Sequence, residues 1–141
     1  MSIFEQYATN ETFTVINPLD VMNSVYAGLI RVNNTSTIAE TYEESAKIIQ
    51  SLGTYLYLLE NQSEAKGSLL ELYNIHKENF IKEGTLLFLA EENLSVSKQR
   101  INFLSARLLS EADSALEYIL LLFLVLRESL LLTDISAKDI H

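Results

Sequence analysis

The chain has 141 residues, 48% of them hydrophobic, with ten Lys or Arg against nineteen Asp or Glu and a net charge of −9. A duplex-binding surface displaces counterions with lysine and arginine, so this balance argues against nucleic acid and against anionic membranes as partners. With no cysteine there is no disulfide framework, no thiolate metal site and no cysteine nucleophile, which suits a reducing cytosol. One domain of this size buries a sufficient core without such staples.

Residues 1–16 are polar and aromatic with no helical period, and read as an irregular arm. The start MSIFEQYATNETF has neither the basic opening nor the apolar run of a secretion signal, so a cytoplasmic location is expected. Asn17 followed by Pro18 marks a helix start, with Asp20 near the positive end of the helix dipole. Val21, Val25, Leu29 and Val32 form its apolar stripe, widened by Met22 and Tyr26, and the helix should end near Asn33.

The polar string at 33–37 supplies the cap of a second helix, expected from Thr37 to Glu60. Ile38, Tyr42, Ala46, Ile49, Leu52, Leu56 and Leu59 keep its three-to-four spacing. Gly53 inside that stripe costs about 1 kcal/mol against Ala and predicts close packing of another helix. After a loop near 61–63, a third helix carries Ala65, Leu69, Leu72, Tyr73, His76, Phe80 and Ile81. It stops near Gly84 or continues to about Asn93.

Val96, Ile101, Leu104, Leu108 and Leu109 make a fourth amphipathic segment, with Lys98, Arg100 and Arg107 on its wet side. The last helix is expected from about Ser110 to Leu132, followed by a frayed tail over 134–141. From Tyr118 to Leu126 it reads YILLLFLVL, apolar all the way round. A helix of that kind needs apolar contact on every side. The run reaches about 13 Å, well short of a ~30 Å bilayer core, so no membrane span is expected. It belongs either in the middle of a bundle or at an interface. No segment alternates with period two, and the sum is an all-α, antiparallel bundle of four or five helices in a single domain.

Catalytic constellations are not evident. No Glu has a His three residues later, as a di-iron bundle requires, and His76 and His141 are too few for a zinc site. The four glycines are isolated and no serine has a base beside it in a recognisable pattern. No enzyme activity, cofactor or metal is expected.

The stretch NPLDVMNSVYAGLIR at 17–31 resembles the opening helix of the FliS-type flagellar secretion chaperones. Pro18, Val21, Val25, Tyr26, Gly28, Ile30 and Arg31 fall at matching offsets, with Asn17 for the usual Ser and Ala27 for the usual Asp. AKIIQSL at 46–52 is similar to that family's Ala-x-x-Ile-Ile-x-x-Leu. LLELY at 69–73 is similar to its Asn-Leu-x-x-Leu-Tyr, with Ser68 for Asn. VLRESL at 125–130 resembles its closing Leu-Arg-Glu-Ala-Trp without the tryptophan. Between Gly84 and Ser110 the chain carries residues that the family pattern hardly has.

The resemblance implies a cytosolic chaperone that binds the disordered C-terminal segment of flagellin, or a related type III export substrate, and prevents premature assembly. Recognition would be helix-in-groove. Tyr26, Leu29, Ile49, Leu56, Leu69, Leu72 and Tyr73 are the candidate partner-binding residues. Tyr7, Phe13 and Val15 are candidates for an N-terminal arm that plugs the groove when the client is absent. The alternative expectation is a self-associating structural or adaptor bundle, using the Tyr118–Leu132 helix as a homodimer interface.

Overall fold

The computed structural model describes residues 3–8, 18–61, 68–83 and 94–140, with side chains over 3–8, 18–61, 69–79, 98–99 and 101–128. A short 3-10 turn, Glu5–Tyr7, precedes five α-helices: α1 Pro18–Asn33, α2 Ile38–Glu60, α3 Ser68–Glu83, α4 Leu94–Glu111 and α5 Ala115–Ile140. Among the described residues there is no strand, and no helix is long and apolar enough to cross a membrane.

Two helix starts use the same device. Thr37 Oγ1 accepts from the Glu40 amide at 3.1 Å, and the Glu40 carboxylate accepts from the Ser36 amide at 3.1 Å. At α5, Ser114 Oγ accepts from the Glu117 amide at 3.1 Å, and the Glu117 carboxylate reaches back to the Asp113 amide at 3.4 Å. Each is a Ser/Thr-x-x-Glu capping arrangement that satisfies otherwise orphaned donors. The cap at Ser114 sets the break between the last two helices at 112–114, later than the expected start near Ser110. The last helix also runs on to Ile140, where a frayed tail was expected: no proline or glycine comes after Gly84 to end it.

α5 is the centre of the molecule and packs on each of the other four helices. From Tyr118 to Leu126 no residue is more than 4% exposed. The all-round apolar run is therefore core. It has no free face for a second copy, which removes that part of the expected homodimer interface. The polar group it does carry is matched, since the Tyr118 hydroxyl lies 2.7 Å from Ser105 Oγ on α4.

α1 and α2 make the most extensive helix pair. Val21, Val25, Gly28 and Val32 face inward. Gly28 permits the close approach: a Cβ there would collide with the Ile48 side chain, whose Cδ1 would be 2.9 Å away. Leu29 is only half-buried. The first half of α2 is rotated from its expected stripe, burying Thr41 and Ser45 and leaving Tyr42 and Ala46 at the margin. The buried hydroxyls bond locally. Thr41 donates to the Thr37 carbonyl at 2.9 Å and Ser45 to the Thr41 carbonyl at 2.8 Å, while Thr35 and Thr41 meet at 2.7 Å. Side chains satisfied within their own turn can be buried at little loss.

In α4 the expected core positions Ile101, Leu104 and Leu108 are buried, while Leu109 is exposed. Lys98 is half-buried on α4. Its Nζ donates to the Asn33 carbonyl at 3.2 Å and to that of Thr35, placing a cation at the negative end of α1. Arg107 pairs with Glu111 at 3.0 Å. Val96 and Arg100 have side chains outside the described set, and both expected courses of the chain past Gly84 lie outside the described residues.

Candidate functional site

Among the described residues α3 packs chiefly on α5, whereas α2 packs on α1, α5 and the N-terminal turn. The turn bridges α2 and α3. Phe4 is fully buried, its ring 5.2 Å from that of Phe123 on α5 and 6.2 Å, edge-on, from that of Tyr73 on α3. Tyr7 is half-buried, with its ring 5.6 Å from Phe123 at 84°. Tyr73 and Phe123 are themselves 6.3 Å apart. Tilted and edge-to-face pairs at these separations add about 0.5–1.5 kcal/mol each beyond the area they bury. The amides of Tyr7 and Ala8 donate to the carbonyls of Phe4 and Glu5, both at 3.1 Å, which closes the turn.

Gly53 makes the seat. A Cβ there would stand 2.7 Å from Tyr7 Cβ, 3.2 Å from the Phe4 carbonyl oxygen and 3.3 Å from the Phe123 ring. The sequence predicted a helix packed against Gly53. α5 is one neighbour, but the tighter approach comes from the chain's own N-terminus.

One helical turn along, the aromatic cluster gives way to charged side chains. Arg127 lies four residues after Phe123 on α5, and Lys77 four after Tyr73 on α3, so each pair shares a face. Glu128 Oε1 accepts from the Tyr73 hydroxyl at 2.7 Å and from Arg127 Nη1 at 2.8 Å, with Lys77 Nζ at 3.3 Å. Arg127 Nη1 also donates to the Tyr73 oxygen at 3.2 Å. Burial first, and then the bond to Glu128, push the Tyr73 phenol up; the Arg127 charge opposes this only in part. The hydroxyl therefore stays protonated and donates. Among the described residues two cations, Lys77 and Arg127, pair with the one carboxylate of Glu128, in a chain of −9. Arg127 Nε is buried and has no hydrogen-bond partner among the described residues. Leaving such a donor unmatched costs about 1–3 kcal/mol.

The sequence-derived partner residues divide. Tyr26 and Leu72 are exposed, at 45% and 43%, and Leu29 is half-buried. Ile49, Leu56, Leu69 and Tyr73 lie in the core. Their positions in the apolar stripes send them inward, so they present no open surface to a partner. Of the arm residues Tyr7 is docked, whereas Phe13 and Val15 lie outside the described residues. Phe4, Phe123, Lys77 and Arg127 were missed. The available signal was the Phe4-x-x-Tyr7 pair, two aromatics one turn apart in the arm.

Beyond the groove, Leu19, Tyr26 and Ile30 are exposed at spacings of seven and four along α1. His76 is half-buried on α3. Among the described residues no three His, Cys, Asp or Glu side chains come together as a metal site. Comparison with known proteins assigns nothing: no family model, no curated protein and no solved structure matches this chain.

Proposed function

We propose that this protein is a cytosolic escort that binds an apolar, disordered polypeptide segment in the groove between α2 and α3, over α5. The seating of the N-terminal turn carries this reading. A bundle complete in itself has no need of a three-residue turn to bury Phe4 between two helices, and Gly53 leaves space for that visitor at the expense of helix propensity. A client that lays one face of a short helix into the groove would replace Phe4 and Tyr7 with apolar side chains of its own. Tyr73, Phe123 and Gly53 would line its site.

The resemblance at 17–31, 46–52 and 69–73 supports a flagellin-like C-terminal segment, or a related type III export substrate, as the client. The exposed stripe of Leu19, Tyr26 and Ile30 supplies further apolar surface for a long segment. Such surface is needed because ordering a disordered client opposes binding by several kcal/mol. The surplus negative charge keeps a chain with exposed apolar strips from associating with itself. The role assigned is binding, without catalysis.

Titration calorimetry of the full chain against a flagellin C-terminal segment tests the assignment. Association in the micromolar range is expected, and none at about 50 µM abandons that client. Phe4→Ala should tighten binding, because a weaker occupant competes less. An unchanged affinity would place the client elsewhere.

A further inference from the structure

We infer that the Arg127 edge at the end of the groove is a recognition point for an acidic side chain of the bound segment, set one helical turn from the apolar residue that replaces Phe4. The inference rests on the groove reading above.

Its basis is an unequal use of the guanidinium. Nη1 is committed to Glu128 Oε1 at 2.8 Å and to the Tyr73 oxygen at 3.2 Å, which fixes the plane of the group. Nε is buried and donates to no described atom, and neither of these hydrogen bonds of Arg127 uses Nη2. Nε and Nη2 together form the side edge of arginine, whose two parallel N–H groups match the two oxygens of a carboxylate. A buried donor without a partner calls for an explanation, and an absent ligand is one. Lys77 adds a second cation on the neighbouring helix, and its tie to Glu128 at 3.3 Å leaves its other protons free to turn. Among the described residues both cations share the single carboxylate of Glu128.

Position supplies the register. Phe123, which meets both Phe4 and Tyr7, lies one turn before Arg127 on the same face of α5. The N-terminal turn therefore fills the aromatic part of the groove beside the charged end. Within residues 3–8 the one acid, Glu5, is exposed to solvent. A client helix with Asp or Glu about four residues from its aromatic anchor would fill the aromatic seat and reach Arg127 together. This gives a charge-selected register in place of an apolar contact that slides, and it distinguishes the client from the chain's own turn.

Four peptides of about sixteen residues, amphipathic and blocked at both ends, test this by fluorescence anisotropy with the full chain. Each has a central Phe; two carry Glu or Gln four residues after it, and two carry Glu or Gln four residues before it. One of the Glu peptides should bind about three- to tenfold tighter than its Gln partner, and the responsive position gives the client's direction. The chain's net charge of −9 would by itself weaken the acidic peptide, so a gain has to be local. Arg127→Met should abolish the difference, and Lys77→Gln should reduce it. Because the comparison is first made on the unaltered protein, a poorly folding Arg127→Met does not leave the matter open. If no peptide binds, the groove reading falls and this inference with it. If Glu and Gln peptides bind alike, only the acidic recognition falls. A preference for Glu that survives in a folded Arg127→Met protein also overturns it.

Discussion

The α1–α2 corner and the α3 side of the molecule are built by different means. At the corner two long helices are joined by a four-residue turn, pinned by hydroxyls bonded within the turn, and drawn together at Gly28 against Ile48. On the α3 side a helix rests on α5, and the space towards α2 is filled by a short, sequence-distant turn held through aromatic rings. Both sides are well buried. They differ in connectivity: the corner joins two helices adjacent in the chain, while the α3 side is closed by residues 3–8, far in sequence from the α5 ring they cover.

The largest effect expected of this difference is between two equally buried phenylalanines. Phe123 is part of α5 and meets Phe4, Tyr7 and Tyr73, so Phe123→Ala should lower unfolding free energy by about 3–5 kcal/mol in urea denaturation. Phe4→Ala removes the same side chain from a site just as dry, yet its loss is limited to the free energy of docking the turn. It should cost about 2 kcal/mol or less. Equal losses would make the turn a permanent part of the core and remove the groove.

The glycines should separate next. Gly28→Ala forces Ile48 aside between two helices that cannot part, and should destabilise by about 1–3 kcal/mol. Gly53→Ala meets mainly the backbone and Cβ of the N-terminal turn, which can withdraw, and it gains about 1 kcal/mol of helix propensity. Its unfolding midpoint should change little. Amide exchange over residues 4–8 should rise in Gly53→Ala and stay unchanged in Gly28→Ala.

The smallest effect is a pH dependence on the α3 side. Burial and Glu128 raise the Tyr73 phenol in the folded state, while the unfolded value is the ordinary 10.0. The stabilisation is thus fully present below pH 10 and is lost as pH rises beyond it, where the unfolded chain gives up the proton first. Tyr55 and Tyr118 are raised by burial as well, so the full chain should lose stability above pH 10 and Tyr73→Phe should flatten that slope only in part. Thermal melts from pH 8 to pH 11 would show it. A slope identical in Tyr73→Phe would mean that the phenol is ionised as easily folded as unfolded.

Periodicity and caps were local enough to read without coordinates. Pro18, Asn33, Thr37 and Glu60 bound or cap the first two helices as expected, and the nine apolar residues from Tyr118 required apolar contact all round α5, in the bundle centre or at an interface; packing placed them in the centre. These features depend on neighbours within a turn or two along one helix. Thr41 and Ser45 defeated the same reasoning, because a hydroxyl bonded to its own turn is buried without an apolar signature. The groove was legible only as a suspicion at Tyr7, since a three-residue turn has no period and Phe4 is 119 positions from Phe123 in the chain. Which side chain meets Gly53, and which donor of Arg127 is left over, depends on where α2, α3 and α5 converge in space. Composition and spacing decide that a helix forms and which stripe it wants to hide; only packing decides what covers the stripe and which polar atom is left unmatched, because that depends on residues far apart in the chain meeting at ångström separations.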